Sequence, residues 1–399
     1  MNNKLSKIKC IAIFLAGISA ASIPSMANAD WSIVGLGTLG GIESGASDIN
    51  DSGQVVGYYY KNGTTHAFIT GSNGVGMTDI GTLGGVPSQA FSINNSGQVV
   101  GYYRPKDSDI FQAFITGANG VGIVDLGTSK FSVATSINNS GQVVGYDLSS
   151  FSGSGFITGP NGIGMTSVGT SSSNYSINDS GQVAGTSLLS SDPLLSHAFI
   201  TGANGVGMTD LGASGGNFAT GINNSGQVVG GMDRNTYTLH GSHAFITGAN
   251  GVGVTDLGTM GGDWSVANSI NDSGQVVGVA GYDDWVDVSS FIYSNGVMVN
   301  LSYLDAVITG GWTGLVASGI NNNGQIVGHG TLHGVNQAFL LSGADQTEFF
   351  LSYTPFSLPL SIPEPETYAM LLAGLGLVGF MARRRKETAQ FNLTQGEKI

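Results

Sequence analysis

One cysteine occurs in 399 residues, and it is Cys10, ahead of a short apolar run at 11–23. A lipoprotein cysteine would follow such a run. A chain cut after it has no thiol, which excludes disulfides and a cysteine nucleophile. Charge is also scarce, at 10% of residues, and lopsided: residues 30–362 hold five Lys and Arg against 22 Asp and Glu. A surface of that sign repels phosphate backbones, so nucleic acid is excluded as a partner. Glutamate is nearly missing from the same stretch, where only Glu43 and Glu348 occur. Nothing in the sequence marks one of the remaining aspartates as the raised-pKa acid of a glycosidase.

What is present is repetition. The segment Ile49-Asn50-Asp51-Ser52-Gly53-Gln54-Val55-Val56-Gly57 recurs seven times, its leading isoleucines being Ile49, Ile93, Ile137, Ile177, Ile222, Ile270 and Ile320. The spacings are 44, 44, 40, 45, 48 and 50 residues. Periods of this size mark a repeat architecture. Gly, Ser and Asn are abundant, yet Val, Ile, Phe and Tyr recur in a strict period, which argues for order.

Each repeat reads as four short strands. The first is Met77-Thr78-Asp79-Ile80 in one repeat and Met208-Thr209-Asp210-Leu211 in another. The second ends at the isoleucine, and the third carries Gln-Val-Val. The fourth is His-Ala-Phe-Ile-Thr, beginning at His66, His197 and His243. Two connections are fixed. Second to third is Asn-x-Ser-Gly or Asn-x-Asn-Gly, residue types suited to positive φ and side-chain bracing. Fourth to first carries Asn-Gly, a strong hairpin signal, at Asn73, Asn119, Asn161, Asn204 and Asn250. The other two connections vary in length. In an antiparallel meander alternate connections share one end, so the fixed turns fall at one end and the variable loops at the other. Loops on a rigid scaffold usually carry function.

Four-stranded units of about 45 residues fit a seven-bladed β-propeller, an all-β fold, with a β-solenoid as the alternative. The chain also begins half-way through a repeat, since Trp31 to Gly41 match a first strand and the loop after it. Trp31 to Leu36 should therefore pair into the seventh blade, beside Ala338-Phe339-Leu340-Leu341 or a degenerate strand at 348–353.

The ends carry address signals. Lys4, Lys7 and Lys9, the apolar run and the small-x-small site Ala27-Asn28-Ala29 form a secretory signal peptide at 1–29. The repeat body spans 30–353. A linker at 354–366 contains Pro363-Glu364-Pro365, a transmembrane sorting helix is expected at 367–382, and Arg383, Arg384, Arg385 and Lys386 open a basic cytoplasmic tail at 383–399. At about 1.5 Å per residue the apolar part at 368–382 spans about 22 Å, short for a bilayer core of about 30 Å.

The C-terminal arrangement resembles the PEP-CTERM sorting signal of Gram-negative bacteria, through Ile362-Pro363-Glu364-Pro365, the run from Tyr368 to Gly376 and the basic cluster. That resemblance implies an exosortase partner, cleavage near the Pro-Glu-Pro segment and delivery to the cell surface or extracellular matrix. The chain departs from the pattern in having residues 387–399 after the basic cluster. The body resembles the HAF-repeat family of bacterial extracellular proteins. The residues that carry this are His-Ala-Phe-Ile-Thr, Asp256-Leu257-Gly258-Thr259 and the Ile-Asn-Asn-Ser-Gly-Gln-Val-Val-Gly element that starts at Ile222. Repeats three, six and seven lack the His-Ala pair, having Ser154-Gly155, Ser289-Ser290 and Gln337-Ala338.

Motifs with chemical meaning are few. Gly35-Leu36-Gly37-Thr38-Leu39-Gly40 matches a dinucleotide fingerprint in letters only, because no helix follows. Gly212-Ala213-Ser214-Gly215-Gly216 matches a nucleophile elbow without the strand-to-helix context. Asp48 to Gly53 looks faintly like a calcium loop but reads better as an Asx turn. His240, His243 and Asp233 are spaced poorly for a metal. No cofactor or metal is expected. Tyr282, Asp283, Asp284 and Trp285, in the sixth variable loop, pair aromatic rings with carboxylates and are the candidate sugar-binding residues. The reading is an exported, surface-sorted, non-catalytic repeat protein that binds extracellular polysaccharide or matrix. A purely structural surface protein and a glycan-degrading enzyme are the alternatives.

Overall fold

Seven four-stranded antiparallel sheets stand around a common axis as the blades of a β-propeller. The computed structural model describes residues 31–81, 87–127, 131–148, 153–169, 175–189, 192–212, 216–233, 241–282 and 288–343. The innermost strands are Glu43–Ile49, Ser88–Ile93, Ser132–Ile137, Ser176–Ile177, Asn217–Ile222, Trp264–Ile270 and Trp312–Ile320. Within the first blade the order outward is Glu43–Ile49, Val55–Lys61, Thr64–Thr70 and Met77–Asp79. This is the expected order of second, third, fourth and first strand.

The ring closes as the phase of the repeats requires. Ser32–Gly37 is the outermost strand of the seventh blade, antiparallel to Val335–Ser342, with Ile33 opposite Leu341 and Gly35 opposite Phe339. Closure removes the open edges that a solenoid would have to cap. The strand expected at 348–353 lies outside the described residues, as do the signal peptide and the transmembrane segment at 367–382. Among the described residues no helix is long and apolar enough to cross a membrane.

The apolar pattern of the repeat explains the blade packing. Adjacent strand residues point to opposite faces of a sheet, and both faces of a blade are covered by neighbours. Val55 and Phe68 face the seventh blade with Val327 and Leu340, while Val56 and Ile69 face Ala90, Val99 and Phe114 of the second. Hence a Val-Val pair rather than alternation with a polar residue. Each blade buries one phenylalanine, from Phe68 to Phe339, at 2% exposure or less. Removing such a ring costs about 3–5 kcal/mol.

Six innermost strands bulge one step before the isoleucine, as between Ala46 and Asp48. The bulge brings the Gly45 carbonyl against Gly57, where a Cβ would lie 2.0 Å from that oxygen. That contact is why the repeat ends in glycine.

One element was not expected. The long connection into the seventh blade holds a 3-10 turn, Leu301–Tyr303, and one α-helical turn, Asp305–Thr309. Leu304 and Val307 seal the interface between blades six and seven.

Candidate functional site

The two ends of the propeller differ in what their side chains bond to. At the fixed-turn end the repeat's asparagine is buried in every blade, at 3–4% exposure. In the first blade its Oδ1 accepts from the backbone N–H of Ser52 and Gln54, at 3.2 and 2.9 Å. Its Nδ2 donates to Gln54 Oε1 and to the carbonyl of Asn94 in the next blade. The same inter-blade bond runs Asn94 to Asn138, Asn178, Asn223, Asn271 and Asn321, and from Asn321 back to Asn50, at 2.9–3.0 Å throughout. Seven side chains thus form one closed ring about the axis.

A second ring lies outside it. Each following residue accepts, through Oδ1, the backbone N–H of its counterpart in the preceding blade, at 2.8–3.0 Å. Its members in order are Asp51, Asn95, Asn139, Asp179, Asn224, Asp272 and Asn322. No two aspartates are neighbours. Oδ2 of Asp51 accepts from Asn95 and Asn322, that of Asp179 from Asn139 and Asn224, and that of Asp272 from Asn224 and Asn322. An amide between two carboxylates supplies donors to both and keeps like charges apart.

A third set of bonds ties the two fixed turns together. Gln54, Gln98, Gln142, Gln182 and Gln325 each donate to the outer-turn asparagine of the next blade, at 3.1–3.4 Å. That outer asparagine has φ of 53–56° in blades one to five, followed by a glycine also at positive φ. Asn-Gly meets this demand at least cost.

The axis itself is a polar channel. A cavity of about 190 Å³ is lined by the ring residues of all seven blades, and one of about 150 Å³ by Asp48, Ser92, Ser136, Ser176 and their neighbours. Asp48 occupies a position held by Ser or Gly in the other blades. Lost hydration pushes its carboxyl up to about 6, against the opposing pull of bonds from Ser92 Oγ, Ile93 N–H and Ile49 N–H.

The His-Ala-Phe-Ile-Thr strand is also accounted for. His197 and His243 bond through Nδ1 to Asp210 and Asp256, at 3.0 and 2.9 Å, and His66 lies 3.6 Å from Asp79. These aspartates also accept the N–H of Gly212, Gly258 and Gly81, which fixes the turn that follows. The alanine N–H donates to a buried side chain in the next blade, as Ala67 to Ser88 and Ala198 to Asn217. The threonine hydroxyl accepts from the first valine, as Val55 to Thr70. Sequence reading missed the buried Ser and Asn partners, which lie in a different blade and in a loop-flanking register with mixed residue types. One fixed residue remains unexplained: Val75, Val121, Ile163, Val206 and Val252 are 71–75% exposed.

At the opposite end lie the variable loops. Tyr282 is 51% exposed there, and its backbone carbonyl is held by Trp264 Nε1 at 2.9 Å. It lines a cavity of about 310 Å³ together with Thr259, Met260, Ser289, Asn300 and Tyr303. Asp283, Asp284 and Trp285 lie outside the described residues, so of the four candidate sugar-binding residues only Tyr282 is placed. His240 likewise lies outside them. Among the described residues no group of three His, Cys, Asp or Glu is placed to hold a metal ion.

Residues 361–386 match the PEP-CTERM protein-sorting motif. The motif implies export, processing by exosortase-type machinery and surface sorting. No curated protein sequence matches the chain. Among solved structures, the chain is similar to an oligogalacturonate lyase from Vibrio parahaemolyticus, at 9% identity and a TM-score of 0.51 over 79% of this chain and 94% of that one. It is similar to the β-propeller domain of the trilobed protease from Pyrococcus furiosus, at 11% identity and 0.52 over 76% and 96%. It is also similar to the Pyrococcus horikoshii acylaminoacyl peptidase, at 10% and 0.53 over 78% and 54%. At such identities the likeness is one of fold alone.

Proposed function

We propose that this is a surface-sorted, non-catalytic propeller that binds extracellular polysaccharide through its variable-loop end. The observation that carries the reading is the asymmetry of the two ends. One end is bound up in inter-blade hydrogen bonds that recur from blade to blade. The other keeps loops of differing length, with exposed aromatic side chains, on the same rigid frame. Its resemblance to HAF-repeat proteins supports an extracellular repeat protein, and the sorting motif supplies the address. The titratable side chains of the repeat support a binding rather than a catalytic role, since His197, His243 and their aspartates hold strand and turn together.

The test is binding of the mature chain to a panel of defined polysaccharides and to polymer from the native surface. Saturable binding to at least one glycan is the expected result. Absence of binding to any of them makes the protein a structural surface component. Turnover of a bound glycan, lost in Asp283→Asn or Asp284→Asn, makes it an enzyme.

A further inference from the structure

We propose that the cavity between Tyr282 and Tyr303 is a subsite for a neutral pyranose residue of a polysaccharide chain. This rests on the polysaccharide-binding reading and names the place and the ligand chemistry. The cavity measures about 310 Å³, at the lower end of the range of about 300–1,000 Å³ for ligand pockets. That size suits one sugar ring rather than an extended chain buried along its length.

The cavity belongs to one blade for a reason legible by comparing repeats. In the first blade Ile42 N–H donates to the Tyr60 carbonyl, and in the sixth Asp263 N–H donates to the Gly281 carbonyl, so Tyr60 and Gly281 are equivalent. Lys61 is then the counterpart of Tyr282. In blade one Lys61 folds back, its Nζ donating to the Leu39 carbonyl at 3.0 Å. In blade six Gly281 brings no side chain to this space, and Tyr282 stands at its edge. The turn beneath is the same in both blades: Gly41 N–H bonds to Thr38, Gly262 N–H to Thr259, and the residues between, Leu39 and Met260, have φ of 49° and 54°. The extra 3-10 turn after the sixth blade supplies the opposite wall. Asn300 caps that turn, its Oδ1 accepting from Ser302 N–H at 2.8 Å, and Tyr303 ends it, 71% exposed.

The lining fits a sugar of no charge. Among the described residues its lining is Thr259, Met260, Ser289, Asn300 and two tyrosines, plus an alanine and two glycines, with no carboxylate and no cation. Asn300 Nδ2 is free to donate, because only its oxygen is engaged in the cap. Tyrosine presents an apolar ring face to sugar C–H groups and a hydroxyl to water or sugar oxygens. A uronate would meet no cationic partner here and would approach a chain of formal charge −13.

The experiment is calorimetric titration of the full mature chain with three probes: a neutral β-glucan oligosaccharide, a neutral galactomannan oligosaccharide and polygalacturonate. Binding of a neutral probe is expected, weakened at least tenfold by Tyr303→Ala and by Tyr282→Ala. Lys61→Ala, at the counterpart position in blade one, should bind as the unaltered chain does, with its melting temperature unchanged. Neutral-glycan binding that both alanine variants retain overturns the subsite and leaves the polysaccharide reading intact. Preferential binding of polygalacturonate overturns the neutral class. Failure of all three probes, with the native surface polymer still bound, overturns the subsite chemistry alone. Failure of that polymer as well overturns both readings.

Discussion

The fixed-turn end and the variable-loop end are built from the same seven repeats, yet they solve different problems. At the fixed end the recurring polar side chains reach across blades: the asparagine of each blade to a carbonyl of the next, and the glutamine of five blades to the next outer turn. A substitution there is felt by two blades. Toward the loop end the bonds between blades run from alanine amides to Ser88 and its counterparts, and the loop residues themselves bond within one blade or its adjoining turn, as with Lys61 to Leu39 or Trp264 to Tyr282. A substitution there is felt locally. Identical backbone geometry therefore gives one end that resists change and one that accepts it.

The largest expected effect comes from breaking the ring that both ends share. Deleting residues 31–37 removes the strand that pairs with Val335–Ser342 and bares that strand's edge. A loss of about 5 kcal/mol, at about 2 °C per kcal/mol for a chain of this size, lowers the melting temperature by about 10 °C. Light scattering should rise on heating as the open edge pairs with other copies. An unchanged melting curve would sink the view that closure holds the fold.

Next comes Asn178→Ala at the fixed end. The change leaves the N–H groups of Ser180 and Gln182 and the carbonyl of Asn223 without their partner. Buried groups left so cost about 1–3 kcal/mol each, reduced by whatever water enters. Urea unfolding should report a loss of about 3 kcal/mol. Tyr303→Ala at the loop end should cost under about 0.5 kcal/mol in the same assay, as exposed sites do. Equal losses at the two ends would erase the contrast.

A smaller effect depends on pH. Asp48 has a folded-state value of about 6, above the ordinary 3.8 of its side chain. The folded protein thus holds the proton more tightly than the unfolded chain. Its relative stability is greatest below about pH 4 and falls as pH rises from about 4 to about 6. Asp48→Ser installs the residue found at Ser92, Ser136, Ser176 and Ser269. The variant's advantage over the parent should be about 3 kcal/mol larger at pH 7 than at pH 3. A constant difference across that range would show that the carboxyl is not desolvated in the channel.

The repeat count, strand order, blade closure and location of the fixed turns were all legible in the sequence. They depend on local patterns that recur seven times, and repetition lets noise at one copy be read through the others. The hydrogen-bond rings were not legible. The Asn-x-Ser-Gly element signals a braced turn, but that its Nδ2 reaches the carbonyl of a residue 40–50 positions on is a property of the assembled ring. The same holds for Ser88 and Asn217 as partners of alanine amides two strands away in the preceding blade. The helical turn Asp305–Thr309 was missed because five residues are too few to display a helical period. At the loop end, Tyr282 stood out as an exposed aromatic beside carboxylates, whereas Tyr303 gave no signal. It joins Tyr282 only because the chain turns there into the next blade.

Odd numbers do not alternate. Around the outer polar ring, acid and amide take turns from Asp179 through Asn224, Asp272 and Asn322 to Asp51 and Asn95, and then the count runs out, leaving Asn95 beside Asn139. A cycle of seven must contain one such mismatch, and placing it between two amides leaves a backbone bond intact, Asn95 N–H to Asn139 Oδ1 at 2.9 Å. Placing it between two acids would set carboxylates side by side. Parity thus sets a ceiling of three negative charges on this ring, whatever the acidity of the remaining chain. A relative with six or eight blades could alternate without a mismatch, and eight would admit a fourth acid.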